Sequence, residues 1–194
     1  MPLSPPVADR NHLHTRCITM QGFQRPDGLF DIEGHLADTK PYSFDSFERG
    51  HVEPGEPLHG MWIRLTVDED MMIHACEAVS DHTPYAICQQ AAPNFARLAG
   101  VTIGPGFTRA VKERLGGAEG CTHLREMLAQ MATVAYQTMY PVRRRKRLAP
   151  GEDPTRPVII GSCYAYAPDS PVVERQWPAF AAAHRARKAA EGER

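Results

Sequence analysis

Apolar side chains follow two rhythms along this chain, and the change of rhythm divides it. From residue 12 to about residue 79 they alternate with polar ones, the two-residue period of a strand with one buried face. Residues 12–24 and 29–38 are two such runs. Between them, Arg25-Pro26-Asp27-Gly28 has the chemistry of a tight turn, so a β-hairpin is predicted. In the second run Phe30, Ile32 and Leu36 share one face, and Asp31, Glu33 and His35 share the other. Residues 45–58 carry charges, glycine and proline and read as a loop. Met61, Ile63, Leu65 and Val67 alternate through a further strand, Asp68-Glu69-Asp70 makes the turn, and a partner strand covers about 71–79. The prediction is a small antiparallel sheet of hairpins with one buried face.

After Val79 the period lengthens. Thr83-Pro84 has the form of an N-cap followed by proline at the first helical position. Ile87, Ala91, Phe95 and Leu98 follow at helical spacing, with Pro93 expected to kink or split the helix. Phe107, Val111 and Leu115 predict a short amphipathic helix stopped by Gly116. A long helix over about 122–140 would bury Leu124, Leu128, Met131, Ala132, Ala135 and Met139. Arg143-Arg144-Arg145-Lys146-Arg147 reads as a cationic linker, either solvated or in contact with phosphate. Val158-Ile159-Ile160 reads as the start of a late strand returning to the sheet. The expected fold is α+β, three helices covering one face of the sheet. The expected organisation is an extended arm over 1–11, one domain over 12–178, and a helical or frayed tail over 179–194.

Composition narrows the function classes. The 194 residues are 42% hydrophobic and 23% charged, ordinary for a globular chain with one substantial core. A formal net charge of −1 argues against a nucleic-acid partner. No apolar run reaches the length of a membrane span and no signal peptide is recognised, so a cytoplasmic protein without a membrane partner is expected. The five cysteines lack C-x-x-C spacing and are odd in number, which fits reduced thiols. A homodimer is expected from the commonness of such assemblies.

The densest chemistry lies where a glycine-rich turn, 116–120, delivers Cys121 and His123 to the start of the long helix. A helix start has free N–H groups and a partial positive charge, which favours a thiolate. Within a helix Cys121 and His123 would diverge by about 200°, and they face one point more easily if Cys121 is only the cap. His59 precedes a strand and His82 precedes the first helix, so both lie in loops that could converge on Cys121. Tyr85 could supply a phenol proton. Glu33 and His35 form either a solvated outer face or a carboxylate–imidazole pair suited to acid–base work. Zinc is compatible with His59, His82 and Cys121 as ligands, although no spacing here is a recognised zinc motif.

Strands first and helices after, with Met61-Trp62-Ile63-Arg64-Leu65-Thr66-Val67-Asp68-Glu69-Asp70, residues 73–91 and Cys121-Thr122-His123-Leu124, resemble the IscU/NifU-type iron–sulfur scaffold fold over about 57–138. That family uses three cysteines as ligands. The first falls near Pro57, with His59 two residues on, the second near Thr83, beside His82, and only the third has a counterpart, Cys121. End to end, the chain more closely resembles a proteobacterial family of unknown function. Its shared motifs are Leu-His-Thr-Arg (13–16), Asp-Gly-Leu-Phe-Asp-Ile-Glu-Gly-His-Leu (27–36), His-Gly-Met-Trp (59–62) and Gly-Cys-Thr-His-Leu (120–124). That resemblance implies a setting in aromatic or acyl catabolism. The reading that follows is a cofactor-independent lyase or decarboxylase acting by acid–base catalysis on a small aromatic, lignin-type phenolic or acyl substrate, with release of formaldehyde as an example. A metal- or iron–sulfur-handling scaffold and a Cys121-dependent thioesterase or acyl transferase are the alternatives, and a small-ligand or partner-binding subunit without chemistry of its own is a further one.

Overall fold

The alternating half of the sequence forms a four-stranded antiparallel sheet in the order β1-β2-β5-β6. In the computed structural model, which describes residues 3–147 and 159–192, these strands are β1 (Thr15–Gln24), β2 (Phe30–Thr39), β5 (His59–Val67) and β6 (Ile73–His82). The predicted turn closes the first hairpin: the Arg25 N–H donates to the Leu29 carbonyl at 2.8 Å, and Gly28 takes the positive φ of 87° that a side chain would disfavour. The segment read as a loop over 45–58 contains a small two-stranded sheet, β3 (Phe44–Ser46) and β4 (Gly50–Val52). These three-residue strands are too short to display a period, and Gly50 at their turn looks like any loop glycine in sequence.

One face of the sheet is covered. Phe30, Ile32 and Leu36 of β2, Met61, Ile63, Leu65 and Val67 of β5, and Ile73 and Cys76 of β6 form a single core with the helices. The segment Ala86–Leu98 departs from its prediction: it is a 3-10 helix, and Thr83 does not cap it. Pro93 lacks the N–H that an α-helix would use there, and the buried side chains Ala92, Phe95 and Leu98 fall at steps of three, the period of a 3-10 turn. Ile87, expected to be buried, is 68% exposed for the same reason.

The helix α1 (Phe107–Leu115) buries Phe107, Val111 and Leu115 as predicted. Gly116 ends it in an extended conformation rather than a left-handed one. The helix α2 (Thr122–Arg147) buries Leu124, Leu128, Met131, Ala135 and Met139, with Met127 in addition. It carries Pro141 within it and runs on through the arginines read as a linker, which are good helix formers. Truncating Leu124 or Met131 to alanine would cost about 2–5 kcal/mol.

Two glycines let α2 lie close to the sheet. A Cβ at Gly34 would stand 2.7 Å from Met127 Cε, and one at Gly22 would stand 1.8 Å from Thr138 Oγ1. The helix therefore starts over one end of β2 and passes Gly34 on its way to β1.

The chain divides into two compact units, Met1–Arg143 and Arg144–Arg194. In the second, α3 (Pro171–Gln176) is capped by Ser170, whose Oγ accepts the Val173 N–H at 3.2 Å, and it packs on α4 (Pro178–Gly192). Ile159 and Ile160 lie in a turn rather than in the late strand expected of them, and Val158 lies outside the described residues. No described helix is long and apolar enough to cross a membrane.

Candidate functional site

The inward-facing row of β2 reads Phe30, Ile32, Gly34, Leu36 and then, by the same parity, Asp38. A carboxylate thus occupies a core position and is 1% exposed. Such a group needs partners, because an unpaired buried charge is costly. Antiparallel register supplies them from both sides: Asp38 stands opposite Arg16 of β1 and opposite His59 of β5. Arg16 donates through Nε to Asp38 Oδ1 and through Nη2 to Oδ2, both at 2.8 Å, the bidentate pairing that a planar guanidinium favours. His59 Nδ1 lies 3.0 Å from Oδ2, and His14 Nε2 lies 3.4 Å from Oδ1.

The start of α2 completes the cluster. His123 lies in its first turn, with its ring packed against His59 at a centroid separation of 3.9 Å and a tilt of 32°. Its Nε2 is 3.9 Å from Asp38 Oδ2, and its Nδ1 is 3.9 Å from Cys121 Sγ. Cys121 precedes the helix rather than belonging to it, which lets thiol and imidazole meet despite their spacing of two. The thiol also lies 3.8 Å from Met61 Sδ. One turn along α2, Glu126 accepts from Arg16 Nη1 at 3.3 Å.

Electrostatics follows from this packing. Burial alone would raise the Asp38 carboxyl, but the Arg16 hydrogen bonds and charge, helped by His59 and His14, outweigh it and hold the group below its ordinary value. Burial lowers His59, and the neighbouring His123 lowers it further, against the opposing pull of Asp38. Burial also lowers His123, together with the charge of Arg16. Both rings are therefore neutral near pH 7. An ionised Asp38 can only accept, so the proton on a neutral His59 sits on Nδ1 and the Nε2 lone pair is free.

Of the residues singled out from sequence, the fold brings together His59, Cys121 and His123. It places the others elsewhere. His82 is separated from His59 by an irregularity in the β5–β6 ladder: Met61 pairs with Ser80, but Gly60 pairs with His82. The extra residue turns His82 to the outer face, where its ring covers the space a Cβ on Gly60 would occupy, Cδ2 at 2.8 Å. Tyr85 is exposed beside the 3-10 helix, its carbonyl accepting from Thr83 Oγ1 at 2.8 Å. Glu33 and His35 lie on the outer face of the sheet, Glu33 accepting from Arg64 Nε at 2.7 Å and His35 stacked on Trp62 at 3.9 Å. A metal set of His59, His82 and Cys121 is thus not assembled, whereas ligand atoms of Asp38, His59 and His123 lie within 4.8 Å of one another.

Asp38, Arg16 and His14 are the members that sequence reading passed over. Asp38 had a signal, an acidic residue at an apolar parity of β2. Arg16 and His14 sit in the Leu-His-Thr-Arg motif, which becomes meaningful only once register places it opposite Asp38. No protein of curated function and no solved structure matches the chain. The segment that builds the sheet, the cluster and most of α2, residues 14–137, matches the family model described as a protein of unknown function (DUF2889), and the chain belongs to that family.

Proposed function

We propose that the chain is a cofactor-independent lyase in which His59 is the general base and His123 the paired acid, acting on a small aromatic or acyl substrate. The observation that carries this reading is the hydrogen bond from His59 Nδ1 to the buried, ionised Asp38, with a second imidazole in contact with the first. Asp38 fixes the tautomer of His59 and leaves Nε2 to accept a proton. Two imidazoles in contact resist being charged together, so when His59 takes a proton His123 stays neutral. Such a pair suits cleavage of a carbon–carbon bond next to an electron-accepting ring or carbonyl. With a hydroxymethyl group as the leaving fragment, His59 takes the hydroxyl proton and formaldehyde departs as its C=O bond forms. The electron pair left on carbon then takes that same proton, passed back from His59 by way of His123, so the alcohol yields formaldehyde and the shortened product and both rings end neutral. Decarboxylation of an aromatic carboxylate needs only the protonation half: carbon dioxide leaves with the carboxylate carbon, and an imidazole that has taken a proton from solvent delivers it to the ring carbon.

A second reading treats Asp38, His59 and His123 as a metal-handling set, since their ligand atoms lie within 4.8 Å. The hydrogen bonding of Asp38 favours the first reading. Both carboxylate oxygens already accept from Arg16, and His59 and His14 approach the remaining lone pairs. Cys121, 3.9 Å from His123 Nδ1, is the group a thioesterase or acyl-transfer variant would use.

The test is a screen of hydroxymethyl-bearing phenolics and aromatic acids for formaldehyde or carbon dioxide release, run beside His59→Gln, His123→Gln and Cys121→Ser. Acid–base lysis predicts turnover lost in both histidine variants and kept in the cysteine variant, each with native circular dichroism. Turnover that survives His59→Gln would sink the assignment. Near-stoichiometric metal in the purified protein, abolished in His123→Gln, would replace it with the metal reading.

A further inference from the structure

Between them α1 and α2 leave a groove of about 530 Å³, the size range of small-molecule sites. Its walls include Phe107, Val111, Leu128 and Ala129, so the body of the groove is apolar. Its charge is concentrated where the two helices are joined. Lys112 of α1 and Arg125 of α2 both line it there, and Arg125 Nη1 is held at that junction by the Leu115 carbonyl at 3.0 Å. Among the described residues, neither cation is in an ion pair with a carboxylate. Glu126, also in the lining, turns toward Arg16 at 3.3 Å, a guanidinium it shares with Asp38, so that end of the groove holds two cations against one carboxylate. Arg125 stands two residues after His123 in α2, about 200° around the helix from it, so the cationic end of the groove faces away from the imidazole pair.

An apolar trough ending in an excess of positive charge is complementary to one class of ligand, an apolar or aromatic body carrying a carboxylate. We infer that this groove binds an amphipathic carboxylic acid, its ring or acyl chain between α1 and α2 and its carboxylate at Lys112 and Arg125. The groove is a site apart from the imidazole pair, and the inference stands independently of the acid–base reading.

The test is calorimetric titration of the full chain with 3-phenylpropanoate and with its neutral amide. The acid should bind saturably, and the amide should bind about tenfold more weakly, the loss expected of one charge-assisted contact. Lys112→Met, an exposed position, should narrow that difference to the share left by Arg125, and Ala129→Trp should weaken the acid by filling the groove. Equal binding of acid and amide, no saturable binding, or binding untouched by Ala129→Trp would each overturn the inference. His59→Gln separates the two claims. Acid binding kept with turnover lost supports both, acid binding kept with turnover also kept defeats only the catalytic assignment, and turnover lost with no acid binding in any form of the protein defeats only the groove.

Discussion

The Nδ1 of His59 lies 3.0 Å from Oδ2 of Asp38, a carboxylate on the core side of the sheet. Replacing Asp38 with asparagine should therefore change the imidazole before it changes the fold. Asp38 raises the proton affinity of His59 against the effect of burial, so Asp38→Asn should move the His59 titration to still lower pH, read by NMR of the ring protons. Loss of the charge-assisted bonds to Arg16 should cost about 2 kcal/mol in urea unfolding. An unmoved His59 titration would mean that the 3.0 Å contact has no electrostatic consequence.

Acid should destabilise the protein in two stages. Folding lowers His59 and His123 below the unfolded value of about 6.5, so the unfolded chain binds protons first as pH falls through that region. Their contribution is complete above that pH and lost as pH drops through their folded values. Asp38, also lowered, contributes above its unfolded value of about 3.9, and that contribution disappears only as pH falls through its folded one. Urea midpoints measured across this range should fall in both stages, and a His59→Gln, His123→Gln double variant should flatten the first alone.

Close approach of α2 to β1 makes Gly22 intolerant of a side chain. Gly22→Ala would bring its methyl to 1.8 Å from Thr138 Oγ1 and 2.8 Å from Thr138 Cβ. A loss of about 1–3 kcal/mol is expected, the cost of overpacking. Thr138→Gly in the same chain should restore part of it, whereas Thr138→Ala should restore less because the Cβ remains. Thermal unfolding of the single and double variants measures the coupling.

The five thiols should differ sharply toward a disulfide reagent at pH 8. Cys17 and Cys163 are exposed and should react at once. Burial, with a smaller contribution from Glu77, pushes the Cys76 thiol up to about 12, so it should react only as fast as the protein opens. Mass mapping of the labelled cysteines over time gives the order, and early labelling of Cys76 in native protein would contradict its burial.

Much of the sheet could be read from sequence because its signal is local. The alternation of Met61, Ile63, Leu65 and Val67 belongs to one strand and needs no knowledge of its neighbours. His59, Cys121 and His123 were likewise legible as chemistry-bearing residues at element ends. What escaped was non-local. Arg16 matters because a register of ten paired residues sets it against Asp38, and no window of β1 alone contains that fact. His82 was misplaced because a single ladder irregularity at Gly60–Met61 reverses the face of everything after it. The 3-10 character of Ala86–Leu98 was hidden in the same way: Ala92, Phe95 and Leu98 reveal a period of three only when burial is known.

Arg16, Asp38 and His59 come from three neighbouring strands and meet in one line across them. Adding or deleting a single residue inside β1, β2 or β5 would send one of the three to the opposite side of the sheet, whatever its identity. Connections such as 40–43 and 53–58, outside any strand, can lengthen or shorten without disturbing that line. For sequences descended from this one, the spacing between the Leu-His-Thr-Arg segment and the Asp27-Gly28 turn, and from that turn to Asp38, should vary far less than the residues in between. Counting residues along those intervals is then a sharper sign of an intact centre than overall similarity.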